Sequence, residues 1–330
     1  MTEEHPFAQY VRIIGKGPNL SRPMTEDEMH AAATMIMNDQ VEPLQLGAFL
    51  CILRMRTEEP VEGAGFVRAA RESLHLPDDI PEVDLDWSSY SGKKRQLPWY
   101  LLAAQLLSTN GVSIFMQGAE GHTPGRVYSS QSLKSLGIAI ASSLEEAADH
   151  IRENNFAYLT LGDISPKLQE IIDLKPLLGL RSPVNTFGRM INPFSAPYEF
   201  QTVFHPNYRD VHRDTANLLD QPHMAVFKGE GGEAERRPQK PVQVQYLHDG
   251  EYSEIEWPAM LGEESVKVDE EMNLERLKTV WRGEEDDSYA IAAVTGTVAL
   301  ALHLMGRAAT PQEALAQAAT MWDSRDKDRF

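Results

Sequence analysis

Residues 20–72 read LSRPMTEDEMHAAATMIMNDQVEPLQLGAFLCILRMRTEEPVEGAGFVRAARE, and this stretch decides the N-terminal fold. Thr25 and Glu28 stand three apart, the spacing of a capping box in which hydroxyl and carboxylate satisfy each other's backbone N–H groups. Met29, Ala32, Ala33 and Ile36 follow at helical spacing and define a buried stripe. Pro43 opens a second helix, LQLGAFLCILRMR, apolar on most faces and therefore expected to be buried on more than one side. Cys51 within it reads as a structural buried thiol. A third helix runs from about Val61 to Ser73. Short helices linked this closely predict a small bundle.

Outward from the bundle the character changes near Pro77. PDDIPEVDLDW reads as a Pro- and Asp-rich linker, followed by SSYSGKKRQ. A helix (WYLLAAQLLSTNG), a strand (VSIFMQG), a Gly-containing loop (AEGHTPGRV) and another helix (SSQSLKSLG) come next. Further strands are expected at 156–161, 222–229 and 242–247, and 230–241 is expected to be an exposed loop. Strands alternating with helices predict an α/β unit around a mostly parallel sheet. YAIAAVTGTVALALHLM (289–305) carries no charge but is short for a membrane span and reads as a buried core helix. The acidic start lacks the pattern of a signal peptide, which predicts a cytoplasmic protein with no membrane partner.

At 330 residues the chain can bury a large core without staples, and its single cysteine excludes an internal disulfide framework. The net charge of −18 argues against global attraction to a polyanion. The charge is segregated, however: 251–290 holds thirteen acids against four bases, whereas 87–131 holds Lys93, Lys94, Arg95 and Arg126 against Glu120 alone. Generic motifs are absent: there is no GxxxxGK[ST], GxSxG, HExxH or CxxC. His205, His212 and His223 lack ligand spacing and read as surface or turn residues. The run 284–287 reads as a helix cap.

The N-terminal stretch, the centre LLGLRSPVNTFGRMINP and the C-terminal AIAAVTGTVALALHLMGRAATPQEALAQA together resemble the anthranilate phosphoribosyltransferases of glycosyltransferase family 3. The resemblance implies the nucleoside phosphorylase/phosphoribosyltransferase class of fold, a small α-helical bundle domain beside a larger α/β domain. Residues 1–76 with helices near 165–190 would form the helical, dimerising domain. Residues 77–164 and 191–330 would form the α/β domain, with a cleft between the two.

The active-site motifs depart from that family. Its pyrophosphate-cradling GTGGD loop is matched by Ser91-Gly92-Lys93-Lys94-Arg95, and its Asn-Ile-Ser-Thr by Leu97-Pro98-Trp99-Tyr100. Its Lys-His-Gly-Asn-Arg is matched by Met116-Gln117-Gly118-Ala119-Glu120. The magnesium-holding Asp-Glu is matched by Ala234-Glu235, leaving Glu235 as a remnant ligand. Arg181, Asn185 and Arg189 remain as a possible acceptor or anion site. The chain is similar in this to a divergent, TrpD-like branch that lacks the catalytic motifs and is associated with sequence-independent nucleic-acid binding.

The leading expectation is therefore a non-catalytic homodimer without cofactor, binding single- or double-stranded DNA or RNA. The binding residues would be Gly92, Lys93, Lys94, Arg95, Gly118, Arg126, Lys228, Arg236 and Arg237, with Trp99 and Tyr100 stacking on bases. A transferase with a changed acceptor, which alone would need magnesium, and a binder of a small anionic metabolite are the alternatives.

Overall fold

The computed structural model describes residues 3–262, 268–269 and 271–330. The N-terminal helices are α1 (Ala8–Gly15), α2 (Glu26–Met37), α3 (Pro43–Arg56) and α4 (Pro60–Glu72). The Thr25 hydroxyl accepts from the Glu28 N–H, and the Glu28 carboxylate accepts from the Thr25 N–H, so the capping box forms. Pro43 and Pro60 each open a helix, where a missing N–H costs nothing. α2 and α4 cross so closely that a Cβ on Gly65 would stand 2.3 Å from the Glu26 carbonyl oxygen. Their core includes Met29, Ala32, Phe49, Leu53 and Val67, joined by Leu168, Ile171, Val184 and Phe187 from the central helices.

α3 is less enclosed than its composition predicts. Leu46, Phe49, Leu50 and Leu53 are buried, but Leu44, Ala48 and Met55 are exposed and Cys51 is only half-buried. These last four share one helix face at spacings of four, three and four residues.

The sheet has seven strands: β1 (Leu85–Ser88), β2 (Ile114–Gly118), β3 (Phe156–Thr160), β4 (Tyr198–Val203), β5 (His223–Lys228), β6 (Val242–His248) and β7 (Glu251–Trp257). Their order is β3-β2-β1-β4-β5-β6-β7. The first five are parallel, and β6 and β7 add antiparallel. Three strands differ from expectation. The end of the supposed linker is β1, at the centre of the sheet. Leu85 and Trp87 enter the larger core with helix α5 (Tyr100–Thr109) and helix Ser288–Leu304. Alternation sends Asp86 and Ser88 to the other face. β4 and the charged edge strand β7 were not expected either. Helix Ser288–Leu304 is a core helix capped by Asp287, and among the described residues no helix is long and apolar enough to cross a membrane. Within the supposed exposed loop 230–241, residues 232–236 are buried.

Where the helical core meets the sheet, Asp86 is fully buried beside Arg71, Glu199 and Gln117. Arg71 donates to the carbonyls of Ile191 (2.7 Å) and Met190 (2.9 Å) and lies 3.6 Å from Glu199. Burial, reinforced by Glu199, pushes the Asp86 carboxyl well above its ordinary value of 3.8. The unfolded chain releases this proton above about pH 4 while the folded protein keeps it, so this group withdraws stability as pH rises. Asp86→Asn is therefore expected to gain stability over the unaltered protein as pH rises. Thermal unfolding at pH 5 and pH 8 checks this; a melting-temperature difference that shrinks toward pH 8 counts against it.

Candidate functional site

The strand order reverses between β1 and β4, and crevices at such points receive ligands in open α/β sheets. The chain leaves β1 through Ser89–Lys93, β4 into Phe204 and β5 into the turn 229–235. Gly92 has φ +66°, a left-handed conformation that glycine adopts without strain. The successive N–H groups of Ser91 and Gly92 point one way, the kind of concavity that holds an anion. The anion is supplied by the chain itself. Glu233 accepts from Ser91 N–H (2.6 Å) and from Gly92 N–H. Glu235 accepts from Lys93 Nζ (2.5 Å) through one oxygen and from Tyr100 N–H (2.9 Å), in the first turn of α5, through the other. Lys93 and Glu235 are buried together. Burial pushes the Glu235 carboxyl up to about 7 against the pull of Lys93.

Outside this plug lies a band of cations. Lys94, Arg95 and Lys228 are exposed, and with half-buried Arg126 and Arg237 they line a cavity of about 380 Å³. Arg126 donates to the carbonyls of Ser91 (2.8 Å) and Gly92 (3.0 Å), and Arg237 pairs with Glu230 (2.7 Å). Lys228 and Arg237 also line a neighbouring cavity of about 300 Å³ with Arg209 and Lys240. Phe204 joins the first cavity to a third, of about 90 Å³, lined by Arg54, Arg181, Asn185 and Arg189. Among the described residues, the three adjoining cavities are lined by eleven lysines and arginines and one acid, Glu230. The side chains of Lys94, Arg95, Arg181, Lys228 and Lys240 have no hydrogen bond or ion pair among the described residues.

Several expected site residues take other roles. Lys93 is consumed by Glu235. Arg236 is buried behind the turn, 5.3 Å over the Trp257 ring, and donates to the Pro258 carbonyl. Gly118 serves packing, since a Cβ there would stand 2.0 Å from the Ser89 carbonyl oxygen. Trp99 and Tyr100 are buried in the core and cannot stack on a ligand. Arg189 is buried over the Tyr90 ring and donates to Ser91 Oγ (3.2 Å), holding the loop from below. His212 is not a surface residue: it is buried against Gln201 (2.7 Å), and burial drives its pKa down to about 3. Arg54, Arg209, Lys240, Phe204 and Glu233 were not singled out by sequence. Only Phe204 had a usable signal, an aromatic directly after a strand, and that strand was itself missed.

The helical-bundle model of the glycosyl transferase family matches residues 8–74, and the α/β-domain model matches residues 100–324. The chain belongs to glycosyl transferase family 3. An anthranilate phosphoribosyltransferase of Prochlorococcus marinus is 26% identical over 233 residues, 70% of this chain and 68% of the relative. That of Paracidovorax citrulli is 26% identical over 322 residues, 92% of this chain and 90% of the relative. Among solved structures, the Thermus thermophilus anthranilate phosphoribosyltransferase superposes with a TM-score of 0.76 at 20% identity, covering 97% of this chain and 95% of that one. The Saccharomyces cerevisiae enzyme in complex with PRPP and Mg gives 0.76 at 16% identity, covering 96% and 93%. At these identities the structures show a shared fold.

Lys93→Ala would leave Glu235 buried without its counter-charge, a loss of about 3–5 kcal/mol by the behaviour of broken buried pairs. Urea denaturation measures it. Removing both charges, as Lys93→Met with Glu235→Gln, is expected to recover most of that loss, and a double variant as unstable as the single one contradicts this account.

Proposed function

We propose that this family member is a non-catalytic polyanion binder whose occupant is nucleic acid, held without sequence preference. The carrying observation is the segregation of charge: among the described residues, Lys94, Arg95, Arg181, Lys228 and Lys240 line the crevice without an ion pair, in a protein with net charge −18, while Lys93, Arg54, Arg209 and Arg237 are paired with Glu235, Glu58, Glu254 and Glu230. Phosphate backbones are bound by such fields, and base edges are not needed for it.

The inner crevice supports the non-catalytic half of the reading. The amides that a pyrophosphate would use are taken by Glu233, and both Glu235 oxygens are engaged. Ala234, in the place of the family's aspartate, offers no ligand. The second oxygen of Glu233 makes neither amide bond, but it is fully buried and is one oxygen where a hard divalent cation needs several, so this donor set does not fit one and no step through magnesium is derived.

Fluorescence anisotropy with a labelled oligonucleotide tests the reading. Lys94→Ala, Arg95→Ala and Lys228→Ala together are expected to lower affinity at least tenfold at low salt. The slope of log affinity against log salt is expected to fall by about 0.7–0.9 for each phosphate left without its cation. Absence of binding to the unaltered protein at low salt would sink the proposal, as would pyrophosphate release with magnesium and an aromatic acceptor.

The open face of α3 supports a homodimer. Leu44 (89% exposed) and Met55 (80%) lie on it, and Leu177 (82%) is beside it, since its neighbour Leu178 packs near Gly47. Apolar side chains exposed in one patch mark an association surface. Leu44→Glu with Met55→Glu is expected to yield monomers in light scattering. An unchanged mass would place any interface elsewhere.

A further inference from the structure

We propose that Phe204 is the base-stacking platform of the basic groove, and hence that the groove takes single strands in preference to duplexes. This rests on the polyanion reading above and adds what that reading lacks, an interaction that distinguishes nucleic acid from other polyanions.

Phe204 directly follows β4, at the carboxyl end of the sheet where the strand order reverses. It is 54% exposed, and it is part of the wall of two cavities. On one side stand Lys94, Arg95 and Lys228; on the other stand Arg54, Arg181 and Arg189. Tyr252 is the other large exposed aromatic among the described residues, and its face is covered by Arg213 at 4.4 Å. Among the described residues no cation is stacked over Phe204; its ring meets His205 edge-on, with centroids 4.9 Å apart. An uncovered apolar ring in a channel of charges gains nothing from phosphates. It gains from a flat, apolar ligand face held there by flanking phosphates, which is what a nucleobase in a single strand presents. In a duplex both faces of each base are already stacked on neighbours, so the ring would find none.

The cations set the anion requirement and the ring sets the base requirement, so the two are separable by probe. Phe204→Ala is expected to weaken binding of a single-stranded oligonucleotide about tenfold, within the range seen for removal of one stacked base. Binding of inorganic polyphosphate, which has the charges but no bases, should be unchanged. Phe204→Trp should retain oligonucleotide affinity, and a blunt duplex should bind more weakly and be indifferent to the substitution. Equal thermal unfolding of the three proteins controls for folding.

Phe204→Ala binding the single strand as tightly as the unaltered protein would overturn the inference. So would an equal loss for oligonucleotide and polyphosphate, which marks a structural role. If polyphosphate binds and no oligonucleotide binds better than it, the stacking inference fails while the groove stands. If the unaltered protein binds neither, the groove reading itself has failed and this inference falls with it.

Discussion

Everything around the crevice depends on two buried carboxylates. Glu233 and Glu235 belong to the turn after β5, and they hold the loop after β1 and the first turn of α5 at once. A buried charge is tolerated only when its partners replace the water it has lost. Glu235 meets that condition with an ammonium group on one oxygen and a helix-start amide on the other. Glu233 meets it less fully, through one oxygen that accepts from two adjacent loop amides with Arg189 nearby, and burial accordingly raises its pKa. Because these bonds join segments roughly 140 residues apart, they fix three walls of the crevice relative to one another. They also decide where a ligand can sit. The inner layer is filled, so it is an outer layer, with Lys94, Arg95, Lys228, Lys240 and Phe204, that faces solvent.

The same layering reconciles a strongly acidic protein with a basic groove. Charges separated by more than about 8–10 Å are largely screened at physiological ionic strength, so a ligand in the groove responds to the nearest side chains. Part of the acid excess borders the groove, but its side chains there are already paired: Glu254 lies 3.7 Å from Arg209, and Asp269, whose N–H donates to the Arg95 carbonyl, is paired with Arg276. Glu251, Glu254 and Glu256 are on the edge strand β7, where charge discourages strand-to-strand association. Asp269, Glu285 and Asp287 are gathered around Arg276. Net charge therefore describes solubility better than it describes the site.

The sequence was most legible where local rules act alone. Thr25 with Glu28, Pro43, and the apolar runs of α5 and β2 each carry their own signal within a few residues. β1 was hidden because Asp84 and Asp86 look like linker chemistry, while the burial of Asp86 depends on Arg71 and Glu199 from distant elements. β7 was hidden because an edge strand with one open face reads as polar loop. In the site, a run of three cations reads as a surface turn or a phosphate-binding patch. That Lys93 alone turns inward depends on a partner 142 residues away. The same distance explains Arg236, which follows Glu235 in a turn whose burial no composition rule reveals. Lys94, Arg95, Arg126, Lys228 and Arg237 were legible as cations, and only the fold brings them to one rim.

The fold supplies a location rather than a chemistry. A crevice at the reversal of strand order is imposed by topology and remains whatever side chains line it. Here the loop after β1 has the shape of an anion site that the chain itself fills. Gly92 turns through a left-handed conformation and Arg189 reaches Ser91, and their polar groups serve Glu233 and the loop itself. A carboxylate tethered to the chain needs no association entropy to bind, so a free phosphate competing for the same amides starts at a disadvantage. The economical route to an anion-binding protein on such a frame is therefore to leave the inner layer closed and to place new cations on the rim. Under the polyanion reading proposed above, Lys94, Arg95 and Lys228, whose side chains have no partner among the described residues, and the Phe204 ring beside them are what such a route would use.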